Sequence, residues 1–268
     1  MRPAIKTWRI TMTYIVVFIG SAGSGKTTLT RVYGEWLRTN MFLNVCQVNM
    51  DPGAEILPYK PCLDIREFIT IKDIMRMYGL GPNGAFMKTV ELISQMMDKI
   101  TRKQPFNEPE YWDVIIVDTP GQLEAFIFRP ETREILGRLQ EIGRTIIVYL
   151  IDSSMIKSSS DAVTIWFLGI LLQVKIGIDV IPIVTKADTL DKTRENIIRE
   201  LIESPEKLLE DIKDSEGIVS DILPELILIA VKTRGAYRPV LVSNNNPESI
   251  EELHFVLHEA ACSCGDLS

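Results

Sequence analysis

The sequence predicts an α/β fold in which a mostly parallel central sheet carries helices on both faces. Three observations predict it. Strand-like and helix-like segments alternate from end to end, the pattern of a parallel sheet built with crossover helices. The first β-branched apolar run passes directly into a glycine-rich turn and then into a helical segment. The chain has 268 residues, 46% hydrophobic and 24% charged, enough for one large domain and too apolar for wholesale disorder.

Each element has a local reason. Residues 14–19 are apolar and rich in β-branched side chains, as a strand buried on both faces requires. Residues 20–25 form the turn and 26–39 a helix. Residues 44–49 read as a second strand, and the proline-rich stretch 51–61 as a loop. Helical spacing returns at 71–78 and 85–103, with a turn between them. Residues 113–117 and 145–151 read as the third and fourth strands. An apolar helix at 162–178 leads to a fifth strand at 179–184, then to a charged segment of helical period at 189–213. A sixth strand at 239–243 and an amphipathic helix at 247–261 close the chain. In such a sheet, ligands bind at the carboxyl ends of the strands.

Several function classes are disfavoured. The 29 basic and 36 acidic residues give a net charge of −7, a poor basis for coating nucleic acid or an anionic bilayer. Mean hydropathy is +0.11. The densest apolar stretch, 162–178, is interrupted by Gln173 and Lys175 and falls short of the roughly 20 apolar residues of a membrane span, so it is expected in the core or against a partner subunit. The 1–12 segment is an N-terminal extension in which Met12 offers a second start. The four cysteines, Cys46, Cys62, Cys262 and Cys264, do not suggest a disulfide framework, and a reducing cytoplasm is the expected location.

The strongest motif is Gly20-Ser21-Ala22-Gly23-Ser24-Gly25-Lys26-Thr27. It matches G-x-x-x-x-G-K-[ST] between a strand and a helix, the setting in which the motif cradles phosphate. Gly20, Gly23 and Gly25 let the backbone curl so that N–H groups, that of Ser24 among them, face phosphate oxygens, beside a helix N-terminus that favours an anion. Lys26 is placed for the β/γ-phosphates, the Thr27 hydroxyl for Mg²⁺, and Thr28 continues the phosphate-binding set. A second motif, Asp118-Thr119-Pro120-Gly121, follows the third strand. Its carboxylate can orient Mg²⁺ and the Gly121 N–H can sense a γ-phosphate. Gln122 and Glu124 come next, where a side chain can orient a water for in-line attack.

Base choice rests on Thr185-Lys186-Ala187-Asp188 at the end of the fifth strand. Asp188 can accept paired hydrogen bonds from guanine N1–H and N2–H₂, a donor pair that adenine lacks. The Lys186 stem is expected to cover the base plane. Thr185 stands where Asn is usual and cannot supply the same amide. A last loop should reach guanine O6 by a backbone N–H. Residues 229–233 and 242–245 compete for it, and the second, with Ser243 and Asn244, is preferred because it lies between a strand and the closing helix.

Together these motifs resemble the GPN-loop GTPases, P-loop proteins of the SIMIBI class, and most closely their archaeal-type homodimeric branch. The resemblance runs from Tyr14 to Leu267, with Gly81-Pro82-Asn83-Gly84 as its most specific mark. Supporting marks are Asn49-Met50-Asp51-Pro52-Gly53-Ala54-Glu55, Leu57-Pro58-Tyr59, Asp64-Ile65-Arg66, Asp118-Thr119-Pro120-Gly121-Gln122 with Glu124, and Cys262-Ser263-Cys264-Gly265-Asp266-Leu267. It implies one GTPase domain over 13–261, a helical insertion bearing the GPN loop, and a Cys-x-Cys tail over 262–268. It also implies GTP hydrolysis to GDP and phosphate with Mg²⁺ in a homodimer, with Asn83 entering the partner's site in trans and Asp51 near Mg²⁺ or the attacking water. Eukaryotic relatives suggest a protein client such as an assembling RNA polymerase.

A metal-insertion GTPase of the nickel type is the rival reading. His254, His258 and Cys262 recur at i, i+4 and i+8, with Cys264 beyond, and imidazole and thiolate suit zinc or nickel. The same residues lie among Leu253, Val256 and Leu257 on an apolar helix face. A scaffold with slow GTP turnover is a third reading.

Overall fold

The computed structural model describes residues 12–209, 218–233 and 239–263. All strands pair in parallel in one seven-stranded sheet of order β3-β2-β4-β1-β5-β6-β7. They are β1 Tyr14–Gly20, β2 Val45–Asn49, β3 Leu63–Asp64, β4 Val114–Asp118, β5 Arg144–Asp152, β6 Val180–Thr185 and β7 Val240–Leu241. The helices are α1 Lys26–Asn40, α2 Ile71–Tyr78, α3 Pro82–Thr101, α4 Leu123–Ile127, α5 Pro130–Ile142, α6 Ser159–Ile176, α7 Lys192–Glu203, α8 Ile218–Thr233 and α9 Pro247–Ser263.

Continuous apolar strands serve two cores because successive side chains point to opposite faces. Along β1, Ile15, Val17 and Ile19 enter one core with residues of α3, α5 and α6. Val16 and Phe18 enter the other with Leu29, Tyr33 and Leu37 of α1 and Leu253 and Leu257 of α9. Burial on both faces also fixes register, since a one-residue slip would exchange the two sets.

The structure corrects several expectations. Gly81 is the N-cap of α3 and Pro82 its first residue, so the Gly-Pro-Asn segment opens a 20-residue helix where the sequence suggested a turn. Proline suits that position because its missing N–H has no intrahelical partner there anyway. The α2–α3 hairpin has a small core of its own, with Ile69, Ile74, Ala85 and Leu92 buried. Within the expected 189–213 helix, α7 ends at Glu203, ahead of Pro205, and residues 210–213 lie outside the described residues. The final strand shortens to Val240–Leu241. Helices α4, α5 and α8 and strand β3 are additions.

The 18-residue α6 is long and apolar enough to cross a bilayer by length and composition alone. Its Ala162, Val163, Trp166 and Leu172 are buried in the core, while Leu171 and Val174 face outward. Cys46 of β2 is joined to Cys62 by a disulfide, which the cysteine count did not suggest.

Candidate functional site

The carboxyl ends of β1, β4, β5 and β6 bring the motifs to one edge of the sheet. The phosphate loop lies at the centre, after β1. Gly25 caps α1 in the left-handed region, φ 94°, and no side chain caps this helix. Its first turn also holds no acidic residue. Helices α2 and α6, by contrast, start with complete capping boxes. An uncapped N-terminus leaves N–H groups and a positive dipole end for an anion. Gly20 is required by close approach: a Cβ there would lie 2.6 Å from the Leu150 carbonyl oxygen. Ser24 is buried; Gly23 and Thr28 are exposed.

Lys26 folds back over this loop and donates to the carbonyls of Gly20 (2.8 Å) and Ser21 (2.9 Å). Burial pulls its pKa down, opposed by the charges of Asp118 and Asp51. Asp118 ends β4 fully buried. Burial pushes its carboxyl up to about 6 against the Thr27 hydroxyl, Lys26 and the Tyr59 hydroxyl, which favour the charged form. Tyr59 donates to Oδ2 at 3.1 Å, and Oδ1 is buried with no hydrogen-bond partner. An orphaned carboxylate oxygen beside Thr27 fits a hard cation such as Mg²⁺, which takes one or two protein oxygens and otherwise phosphate and water.

The raised Asp118 pKa has a stability consequence. A folded-state value of about 6, above the usual carboxylate range, means that the ionised form is penalised in the fold. Its contribution favours folding at low pH and is lost as pH rises through 6. Asp118→Asn should therefore stabilise the nucleotide-free protein by at most roughly 3 kcal/mol at pH 8 and about half that at pH 5. Denaturant titrations at the two pH values measure it; an equal effect at both would remove the burial penalty from the explanation.

Asp51 follows β2. Burial raises its pKa, opposed mainly by the backbone N–H of Gly53, with Lys26, Arg66 and the backbone N–H of Gly121 helping. Gly121 itself packs against Ala22 of the phosphate loop. Sequence reasoning missed the frame around Asp51. The Asn49 amide donates to the Asp51 carbonyl and to Asp64 Oδ1, and its oxygen accepts from the Asp51 N–H. Arg66 clamps Asp64 through Nε and Nη2 and reaches the Ala54 carbonyl. Gln122 is half-buried. Glu124 lies on α4, and its side chain is outside the described set.

The base-side residues sit at the ends of β6 and β7. Thr185, though not Asn, donates to the Ser24 carbonyl at 2.8 Å or to that of Ile151 at 3.1 Å. The hydroxyl thus ties this strand to the phosphate loop without an amide. Lys186 adopts a left-handed φ of 57° and pairs with Asp152 at 2.6 Å. Asp188 Oδ1 accepts from the Ser243 hydroxyl at 2.8 Å, which places Ser243 and Asn244 beside it. The competing segment, 229–233, is the end of α8 and is not a loop.

Gly81, Pro82 and Asn83 are exposed. Their hairpin borders the Asp51 loop: the Ile71 N–H donates to the Pro52 carbonyl, and the Phe86 ring lies against Gly53. The rival metal set fares differently. His254 is buried and hydrogen-bonded to the Tyr33 hydroxyl at 3.0 Å, with its pKa pulled down to about 4, mainly by burial. Cys264 and the Cys262 side chain lie outside the described residues. Among the described residues, no three His, Cys, Asp or Glu side chains cluster to hold a metal.

Comparison with known proteins extends this picture. A family model described as a conserved hypothetical ATP binding protein matches residues 18–263. The GPN-loop GTPase PAB0955 of Pyrococcus abyssi is 33% identical, over 95% of this chain and all of that protein. GPN-loop GTPase 3 of Dictyostelium discoideum is 30% identical over 66% of this chain and 61% of its own length. The crystal structure of PAB0955 in its apo form superposes with a TM-score of 0.83 at 29% identity, covering 94% of this chain and 98% of that one. With its glycine-rich loop at the head of α1 and Gly-Pro-Asn at the head of α3, the chain belongs to the GPN-loop GTPase family.

Proposed function

We propose that this GPN-loop GTPase binds GTP with Mg²⁺ along the carboxyl edge of its sheet and hydrolyses it in a homodimer, acting as a switch. The observation that carries the reading is the convergence of Lys26, Asp118, Asp51 and Gly121, with an unpartnered buried oxygen on Asp118 beside Thr27. Thr27 and Asp118 are the residues that would hold Mg²⁺. Bound there, the ion would neutralise charge on the β/γ-phosphates.

The chain's own groups supply the rest. The uncapped α1 terminus and Lys26 receive the phosphates, and Gly121 receives the γ-phosphate. Asp51, held by Asn49 and Gly53, and Gln122 stand where an attacking water must be oriented; Glu124 joins them by its place in the motif. Such catalysis works by positioning and electrostatics. Thr185 links the base side to the phosphate side through Ser24.

The exposed apolar side chains near the GPN segment support the homodimer. Met77 and Tyr78 end α2, and Met87 lies one turn into α3; they are 60%, 45% and 44% exposed. Arg129 donates to the Met87 carbonyl, which brings the exposed Phe128 to the same border. The resemblance to eukaryotic relatives supports an assembly client, RNA polymerase among them, in the cytoplasm. A nucleotide screen with phosphate release, run across protein concentrations, tests the reading. GTP-specific turnover that rises faster than linearly with protein concentration is expected. Turnover of ATP at an equal rate would refute the base assignment.

Base choice has a sharper test in Asp188→Asn. Losing the paired acceptor should cost about 1–3 kcal/mol, a drop of about 5- to 150-fold in GTP affinity with ATP little changed. An unaltered GTP/ATP ratio in competition binding would show that the base is read elsewhere.

A further inference from the structure

We propose that Tyr59 is a positioning residue for the metal site, aiming Asp118 from the loop that follows β2. The inference rests on the proposed Mg²⁺ role of Thr27 and Asp118 and adds a residue that no motif reading assigns to that site. Tyr59 is 9% exposed, and its hydroxyl crosses 59 residues of sequence to reach Asp118 Oδ2 at 3.1 Å. The bond occupies one carboxylate oxygen and leaves the other, Oδ1, buried and without a protein partner. A carboxylate can rotate about its terminal torsion. A donor fixed on Oδ2 selects the rotation in which Oδ1 is presented, as outer partners of metal ligands generally do.

The loop can hold that donor still. At one end, the Met50 N–H donates to the Asp118 carbonyl and Asn49 binds Asp64. At the other, the Cys62 N–H donates to the Gln47 carbonyl, and Arg66 reaches back to the carbonyls of Ala54 and Glu55. Asp51 and Tyr59 thus sit on one segment that is braced at both ends. A purely structural tyrosine would contribute to stability alone. A positioning tyrosine must also change how the protein responds to Mg²⁺.

Fluorescent-GDP binding separates the two. Wild type and Tyr59→Phe are titrated with GDP in EDTA and then with Mg²⁺ at fixed GDP, with unfolding curves measured alongside. The expected result is similar GDP affinity in EDTA and a half-saturating Mg²⁺ concentration raised about tenfold in Tyr59→Phe, the size typical of lost outer-sphere support. Asp118→Asn and the double variant Tyr59→Phe/Asp118→Asn complete a cycle. If Tyr59 acts through Asp118, the double variant matches Asp118→Asn and the effects do not add. A Tyr59→Phe titration within twofold of wild type, or additive effects in the cycle, overturns the positioning role. Wild-type GDP binding indifferent to Mg²⁺ overturns the metal site itself and the Tyr59 role with it.

Discussion

Lys26→Ala is expected to abolish tight GTP and GDP binding while leaving the protein folded. Lys26 is buried, yet its ammonium is held by the phosphate loop's own carbonyls, those of Gly20 and Ser21. Those two bonds to neutral carbonyls are what a bound phosphate would replace with bonds to an anion, in which both partners are charged. Removing the side chain deletes the only cation directed at the anion from inside the loop among the described residues. The backbone N–H groups and the α1 dipole remain, worth about 1 kcal/mol or somewhat more, too little to retain a nucleotide at micromolar concentration. The fold should tolerate the change, because burial already disfavours the charged lysine and alanine is a good helix former. Calorimetric titration with GDP and a thermal melt, run together, check both halves. A folded variant that still binds GDP at wild-type affinity would take the loop out of the binding site.

How far the site was legible depends on how local its physics is. The phosphate loop is read from sequence because backbone conformation forces its residue types: Gly25 sits at φ 94°, and Gly20 has no room for a Cβ. Asp118 and Asp188 are similarly anchored to the ends of predictable strands. The frame around Asp51 was hidden, since Asn49, Asp64 and Arg66 are common polar residues joined only by folding. Tyr59 carries no local signal for Asp118, and pairing Cys46 with Cys62 needs the β2–β3 neighbourhood. Thr185 cannot supply the amide of the usual Asn, and the sequence gives no sign that its hydroxyl reaches the Ser24 carbonyl instead. Strand β3, with two residues, is too short for any period to show, and α8 contains Pro224, which obscures its helical reading. In α5, Ile135, Leu136 and Leu139 do carry helical spacing, so that omission had a readable remedy.

Asn83→Ala should lower GTP hydrolysis by about 10²–10³ with GDP binding retained, the loss seen when one preorganised polar group is removed from a reacting centre. The structure sharpens the reason for expecting action in trans. Asn83 lies in the first turn of α3, exposed, flanked by Met77 and Tyr78 before it and Met87 after it. A lone exposed amide amid outward apolar side chains is a poor surface in a monomer and a sound one at a two-fold contact, where each copy serves the other. The hairpin that carries it leans on the Asp51 loop through Ile71 and Phe86, so docking of a partner on that hairpin would be felt at Asp51. Mixing Asn83→Ala with Lys26→Ala tests the geometry. In the mixed dimer, one site keeps an intact phosphate loop and receives an intact Asn83 from the Lys26→Ala chain; the other site has neither. Statistical pairing gives about half of all dimers this composition, so phosphate release should recover to roughly a quarter of the wild-type rate per total chain if the sites act independently. Action in cis leaves both chains defective, and the mixture then stays at the sum of its parts. Native mass measurement showing mixed dimers without that recovery would overturn the trans role and confine the groups that orient the attacking water to those of one chain, Asp51 and Gln122 among them.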